Sequence, residues 1–387
     1  MVKTSLGGVG ILPAGALGMS FFYHLTYQLQ RIDDQVFFLE RTGAISAKAL
    51  REQGACCVAD AAGIRYLPTA DILKTDLPGC YDAGWLPEVL LVCPNPDQLT
   101  GVIGNLVQLL ERIHQQGQLT VAAMPFPIVV LCSNGIYFQR LRLLFLEKLE
   151  ESVLFGKLPD LWPDLMPRIV WRILRGVTLQ TGVREGSGGA AIYRPGPRSI
   201  THVAGGDPLV RQRCCQLLVD RGGWFEQAEN DSATHLEFDK AMINLSTNLL
   251  GQIYGIDEEG RFTPLTIQDM LRGEQAEEIR ELCGWIFRIG QAVKTYGTDE
   301  IFEDRLRACM EILRLHQDHV PSSLQWIGLH YSVGTLEPKL TPTEAWLLGP
   351  LIRYARGANL EDAAHYLEGL KHRLLHKLQK AACRQNG

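Results

Sequence analysis

The run Val9-Gly10-Ile11-Leu12-Pro13-Ala14-Gly15-Ala16-Leu17-Gly18 sets a short apolar strand, a glycine-containing turn and a helix start in direct succession. Val9 to Leu12 has the length and apolarity of a buried strand, and from Leu17 to Arg31 apolar side chains return at helical spacing. Backbone N–H groups at such a helix start point outward unpaired, and the helix dipole adds partial positive charge, so the turn suits a pyrophosphate. Gly15 would let the backbone approach the phosphates, and Gly18 would let the helix lie close against the strand. Pro13 stands where the first glycine of a G-x-G-x-x-G turn would be; with φ fixed near roughly −65° it must make the turn another way. Ala14, Gly15, Ala16, Leu17 and Gly18 form the candidate cofactor cradle. Taken alone, the turn fits a ligand-free helix start equally well.

Outward from this run, strand-like and helix-like segments alternate. Gln35 to Leu39, Cys57 to Ala59, Ile64 to Leu67, Val89 to Cys93 and Ile128 to Cys132 read as strands, and Ala44 to Gln53 and Leu99 to His114 as helices. Further β-rich runs follow at Arg175 to Gly182, Ala190 to Tyr193, Ser199 to Val203 and Trp224 to Gln227. The alternation predicts an α/β N-terminal domain built on a parallel sheet with helices on both faces, Rossmann-like in plan. Beyond about His235 the patterns are helical: Leu236 to Ile253, Thr266 to Tyr296, Asp299 to His316, Thr343 to Arg356 and Leu360 to Lys380. An all-α C-terminal domain is therefore expected, with the boundary near Glu229–Ser232, giving domains 1–230 and 231–387. An active site is expected where the two domains meet. At the end of the second strand, Glu40 could hold the ribose hydroxyls of NAD and Arg41 the 2′-phosphate of NADP; a plain solvated loop is the alternative.

Composition removes several function classes. At 387 residues, 46% hydrophobic and 21% charged, the chain can bury two ordinary cores. A net charge of −5 gives no global attraction to nucleic acid or anionic lipid. The basic stretch from Lys371 to Arg384 carries Leu374, Leu375 and Leu378 at helical spacing and reads as an amphipathic terminal helix. The 10 cysteines are scattered without a C-x-x-C pair, so buried reduced thiols in a cytoplasmic protein are expected. The apolar start from Gly7 to Leu25 is too short and too broken by glycine before Ala14-Gly15-Ala16 for a signal peptide, and no run reaches the ~18 residues of a membrane span. His316 and His319 fall three apart at a helix end without a third ligand fixed by spacing, so no metal is expected.

The segment Lys240-Ala-Met-Ile-Asn244-Leu-Ser-Thr-Asn248 is chemically the most informative. Residues four apart on an α-helix differ by about 40° around the axis, so the lysine and the two amides share one side. The intervening Ala241, Met242, Ile243, Leu245, Leu249 and Leu250 make the helix a buried one. Polar groups there are costly unless they face a polar cavity, and desolvation would bring a lysine toward the range of a general acid. A solvent-facing polar stripe is the alternative.

Taken together, these segments resemble the ketopantoate reductase family over nearly the whole chain. Gly15, Ala16 and Gly18 match its glycine turn, Asn134-Gly135 its Asn-Gly after a central strand, and Gly176-Val-Thr178 with Arg184-Glu185-Gly186 its G-x-T and R-[ED]-G segment. Lys240, Asn244 and Asn248 match its hallmark lysine and asparagines, Ser322-Ser323 its late serine, and Pro342-Thr343-Glu344 its P-T-E. The resemblance implies NADPH-dependent reduction of a 2-oxo acid, ketopantoate first among them, by a monomer or homodimer that needs no metal. It implies Lys240 as the proton donor to the developing alkoxide, and Asn244 and Asn248 as groups orienting lysine and substrate. Glu344 would anchor a substrate hydroxyl and act with Lys240 in the catalytic set, and Ser322 or Ser323 would take the carboxylate. Asn134 would lie where cofactor and substrate meet, Arg41 would select the 2′-phosphate, and Gln98 would line the cofactor. Pro13 departs from the family's turn, Asn95 stands where the family has lysine in V-x-x-K-x-x-Q, and Leu158 to Met166 is an insertion rich in proline and tryptophan. These departures keep two other readings open: a reductase of a different 2-oxo acid, and an NADP(H)-binding sensor or scaffold without turnover.

Overall fold

A computed structural model describes residues 4–40, 45–119, 124–152, 154, 156, 166–186, 191–229 and 231–385. The chain divides into two compact units, Met1–Ser133 with Phe138–Ala233, and Asn134–Tyr137 with Thr234–Gly387. Asn230, at the boundary expected from sequence, lies outside the described residues.

The first unit is built on an eight-stranded sheet. Across it run Phe225–Gln227, Thr201–Ala204, Ile173–Thr178, Ile128–Leu131, Val89–Val92, Val9–Leu12, Val36–Leu39 and Leu73–Lys74. Neighbours are parallel except Ile173–Thr178 with Thr201–Ala204. Val9–Leu12, Val36–Leu39, Val89–Val92 and Ile128–Leu131 are buried at every residue, which explains why they read as unbroken apolar runs rather than alternating ones. From Val9–Leu12 the chain builds outward first through Val36–Leu39 and then, on the other side, through Val89–Val92. That reversal is the topological switch point of a doubly wound sheet, and it falls at the carboxyl end of Val9–Leu12. The register Val9↔Val89 through Leu12↔Val92 carries on past the strands, with the Cys93 N–H donating to Leu12 O at 2.6 Å. The turn after Leu12 and the Asn95–Gln98 segment therefore leave the sheet side by side.

Two expectations for this unit are corrected. The strands at Ala55–Asp60 and Gly63–Pro68 do not join the main sheet; with Gly182–Glu185 and Ile192–Pro195 they form a second, four-stranded sheet. The cause is local, since the two-residue link Ala61-Ala62 and Gly63, at φ 122°, fold Ala55–Pro68 into a hairpin that pairs with itself. The helix expected to reach Arg31 ends at Leu25. Thr26 turns its hydroxyl onto Phe22 O and Tyr23 O, and Tyr27, Gln28 and Leu29 take left-handed φ of 50°, 58° and 63°. Leu29 is still buried, so its apolar spacing imitated a further turn of helix.

The second unit is helical: Ala233–Asn244, Leu250–Gly255, Ile267–Met270, Gly273–Ala292, Phe302–Leu315, Ser322–Ser332, Pro342–Gly357 and Glu361–Gln385. One contiguous core joins them, from Phe238 and Met242 through Ile286 and Leu351 to Leu374 and Leu378. The single helix expected over Thr266 to Tyr296 is two, broken at Gly273 with φ 58°, and the serine motif opens a further helix, Ser322–Ser332. Most of the insertion after Leu158 lies outside the described residues, and its last residue opens the short helix Met166–Val170. Of the ten cysteines, all are free, and Cys383 is the exposed one. No helix among the described residues is long and apolar enough to cross a membrane.

Candidate functional site

In the first unit the chemistry is made by backbone. Gly15 is the N-cap of the helix Ala16–Leu25 and gives it no side-chain cap, so the N–H groups of the first turn stay bare. A Cβ on Gly15 would meet only Pro13 Cγ at 3.9 Å, an ordinary contact, so nothing in the protein itself demands glycine there. Gly18 is the reverse case: a Cβ would fall 2.3 Å from Pro13 O, which fixes helix against strand. The turn closes through the N–H of Gly15 donating to Pro13 O at 2.9 Å. Tyr193 Oη donates to Ala14 O at 3.1 Å and braces the cradle from the second sheet. The residues present thus fit a dinucleotide phosphate: bare donors, a positive helix end, and a glycine whose missing side chain leaves room.

Around the cradle, Asn95 is exposed and Gln98 half-buried at the start of the helix Leu99–Gln115. Glu40 directly follows the strand Val36–Leu39 and is ion-paired with Arg51. Arg41 lies outside the described residues.

In the second unit the chemistry is made by side chains. The segment Leu245–Leu249 is a π-helical turn, so Lys240, Asn244 and Asn248 do not form the straight α-helical stripe that four-residue spacing implied. Bonds running to i+5 need more residues per turn, and four residues then fall short of a full turn instead of passing it. The Thr247 hydroxyl donates to Ile243 O at 2.9 Å, occupying a carbonyl on the helix it follows. Asn248 is re-aimed by this turn toward the start of Ser322–Ser332, where its Oδ1 accepts from Ser323 N at 3.0 Å and from Ser322 Oγ at 3.4 Å.

Glu344 sits in the first turn of Pro342–Gly357 and is 0% exposed. Ser323 Oγ donates to its Oε1 at 2.6 Å, and Gln252 Nε2 donates to the same oxygen at 3.0 Å. Burial pushes the Glu344 carboxyl above the usual carboxylate range, and these two donors offset part of that. Asn248, Ser322, Ser323 and Glu344, read separately along the sequence, are thus brought into one hydrogen-bonded cluster. Ser323 is the buried serine and spends its hydroxyl on Glu344, whereas Ser322 is exposed at the helix start.

Asn244 is buried with its Nδ2 unpartnered, one turn after Lys240. Lys240 is half-buried. Burial, and after it the charge of Lys240, hold His316 below the usual imidazole range. His319 is lowered by burial and by His316. Among the described residues no group of three or more potential metal ligands occurs. Asn134 is half-buried beside Gly135, whose φ of 132° strains any side chain and whose would-be Cβ would come within 3.1 Å of Trp346 Cβ. Ile136 N–H donates to Trp346 O at 3.0 Å, which seats the Asn-Gly segment against the helix that carries Glu344.

Sequence reading missed Gln252. It continues the four-residue spacing from Lys240 through Asn244 and Asn248, and its burial at 1% exposure shows that it belongs with them.

No protein-family model matches the chain, and no curated protein matches it. Solved structures do. One is D-mandelate dehydrogenase with NADH and anilino(oxo)acetate, at TM-score 0.66 and 15% identity, covering 97% of this chain and 99% of that one. A ketopantoate reductase from Ralstonia eutropha JMP134 matches at TM-score 0.58 and 15% identity over 96% and 99% of the two chains. A dimeric ketopantoate reductase from Staphylococcus aureus matches at 0.57 and 16% over 97% and 99%. The chain therefore has the fold of the ketopantoate reductases and D-mandelate dehydrogenase over nearly its full length.

Proposed function

We propose that the protein is a nicotinamide-dinucleotide-dependent reductase of a 2-oxo acid, with ketopantoate as first candidate. The observation that carries this reading is the cluster around Glu344: polar side chains from three separate segments converge in an apolar core, on the fold of known 2-oxo acid reductases. The bare turn at Gly15, with Ala14, Ala16, Leu17 and Gly18, would hold the pyrophosphate, and Gln98 would line the cofactor. When bound, the dinucleotide supplies a hydride.

Lys240 would hydrogen-bond the ketone oxygen and give it a proton as negative charge grows there, the larger part of catalysis in such a step. Asn244 would direct its amide N–H to the substrate, and Asn248, fixed by Ser323 N, would orient the lysine side of the site. Asn134 would stand at the meeting of cofactor and substrate. Ser322, exposed at a helix start, would receive the carboxylate, while Ser323 holds Glu344, which would anchor a hydroxyl of the substrate. NADPH is the proposed reductant, because Glu40 is engaged by Arg51 and Arg41 follows it in the chain. A homodimer in the cytoplasm, without metal, nucleic acid or membrane partner, completes the proposal.

A second reading, a different 2-oxo acid on the same scaffold, is supported by Asn95, which removes a cation, and by the likeness to D-mandelate dehydrogenase. Purified protein offered NADPH or NADH with ketopantoate and a panel of 2-oxo acids separates these. Turnover of ketopantoate supports the first reading, and turnover of another acid alone supports the second. Tight dinucleotide binding without any oxidation would leave a sensor or scaffold and refute the reductase.

A further inference from the structure

Gln252 has both amide hydrogens committed, one to Asn248 O at 2.8 Å and one to Glu344 Oε1 at 3.0 Å. Its amide cannot flip without losing both bonds, so it presents its Oε1 as an acceptor alone. That oxygen is buried and unpartnered. Glu344 Oε1 already accepts from Ser323 and Gln252, which leaves Oε2, also buried and unpartnered. The two open oxygens therefore belong to groups locked to each other, each on a residue at most 1% exposed.

We propose that Gln252 is a specificity-determining residue of this site, which pairs with Glu344 to receive a single hydroxyl on the carbon chain of the 2-oxo acid. The inference rests on the reductase reading and deepens it. A hydroxyl both donates and accepts: its hydrogen goes to Gln252 Oε1 and its oxygen takes a hydrogen from Glu344 Oε2. Burial, which favours the protonated carboxyl, supplies that hydrogen, and it belongs on Oε2 because Oε1 is doubly occupied as an acceptor. A methyl group in the same place satisfies neither oxygen and leaves two enclosed polar atoms unpaired. Sites built around a substrate hydroxyl reject the analogue lacking it far more strongly than apolar pockets distinguish one methylene.

The test compares ketopantoate with its deoxy analogue, in which the hydroxymethyl is a methyl, by turnover and by calorimetric binding to the protein saturated with dinucleotide. The wild type is expected to prefer ketopantoate by at least about 10²-fold in kcat/KM and to show the same preference in Kd. In Gln252→Met, similar in volume but without the amide, that ratio is expected to fall about tenfold, the remainder being held by Glu344. A merely structural glutamine would depress both ligands together and keep the ratio, which overturns the inference. Equal use of the two acids by the wild type overturns it as well, without needing the variant, and leaves the reductase reading standing. If the wild type reduces neither acid, that reading fails, and the binding ratio still decides the role of Gln252: a preference about tenfold weaker in the variant supports it, and an unchanged preference, no preference or no binding overturns it.

Discussion

The turn at Gly15 and the cluster at Glu344 solve the same problem with opposite means. The turn leaves backbone donors bare by withholding side chains, so a few consecutive residues suffice to make it. The cluster gathers side chains from Leu245–Gly255, Ser322–Ser332 and Pro342–Gly357 and encloses them in an apolar core. A backbone site is robust to almost every substitution except those at its glycines. A side-chain site is sensitive at each member, because a buried polar group that loses its partner bears the whole desolvation cost.

The largest effect expected is on the cluster's side. Lys240→Ala should lower the rate of 2-oxo acid reduction by roughly 10²–10³, the usual loss for a donor aimed at developing negative charge. Steady-state kinetics at saturating dinucleotide measure it, and an unchanged rate would remove Lys240 from its role. On the backbone side the two glycines should part company. Gly18→Ala sets a Cβ 2.3 Å from Pro13 O and should cost about 1–3 kcal/mol of stability in denaturant unfolding. Gly15→Ala meets nothing closer than 3.9 Å, so it should leave unfolding unchanged while weakening dinucleotide binding in a calorimetric titration. If both variants lost only stability, the turn would be a packing device and no cradle.

Between these regions, what could be read from sequence follows from how local each feature is. Val9–Leu12, Val36–Leu39 and Val89–Val92 declared themselves as apolar runs because both faces of the sheet are covered, and the glycine turn lies within the chain it organises. The pairing of Ala55–Pro68 into a separate sheet, and the end of the first helix at Leu25, depend on turn geometry that apolar spacing does not report. In the second unit Lys240, Asn244 and Asn248 stood out by spacing, but spacing reports neither the π turn that carries Asn248 nor the bond its Oδ1 accepts from distant Ser323. Gln252 went unread because a glutamine following leucines looks like an exposed helix position until its two partners, Asn248 O and Glu344, are in place. The serine pair could be ordered only by burial, with Ser323 inside and Ser322 outside.

Smaller effects sharpen the contrast. Burial raises the Glu344 carboxyl, so the folded state favours its protonated form. Its contribution to stability is fully present below the ordinary carboxylate pKa and is lost as pH rises from there through the raised value. Glu344→Gln, uncharged throughout, should flatten that part of the curve, seen in melting temperatures taken from about pH 4 to about pH 8. A slope identical to wild type would mean that Glu344 is no buried acid. Least of all, Arg51→Ala removes a pair whose arginine is 54% exposed and should shift stability by less than about 1 kcal/mol in urea unfolding.

The most direct measurement is to follow the label. The dinucleotide carrying deuterium at the reactive carbon of its nicotinamide ring is turned over with the 2-oxo acid, and the product is examined by mass spectrometry and NMR. Deuterium at C2 of a 2-hydroxy acid, from one of the two ring faces and delivered roughly 10²–10³ times more slowly with Lys240→Ala, is the result predicted. A saturably bound dinucleotide whose label never reaches any 2-oxo acid would contradict the account.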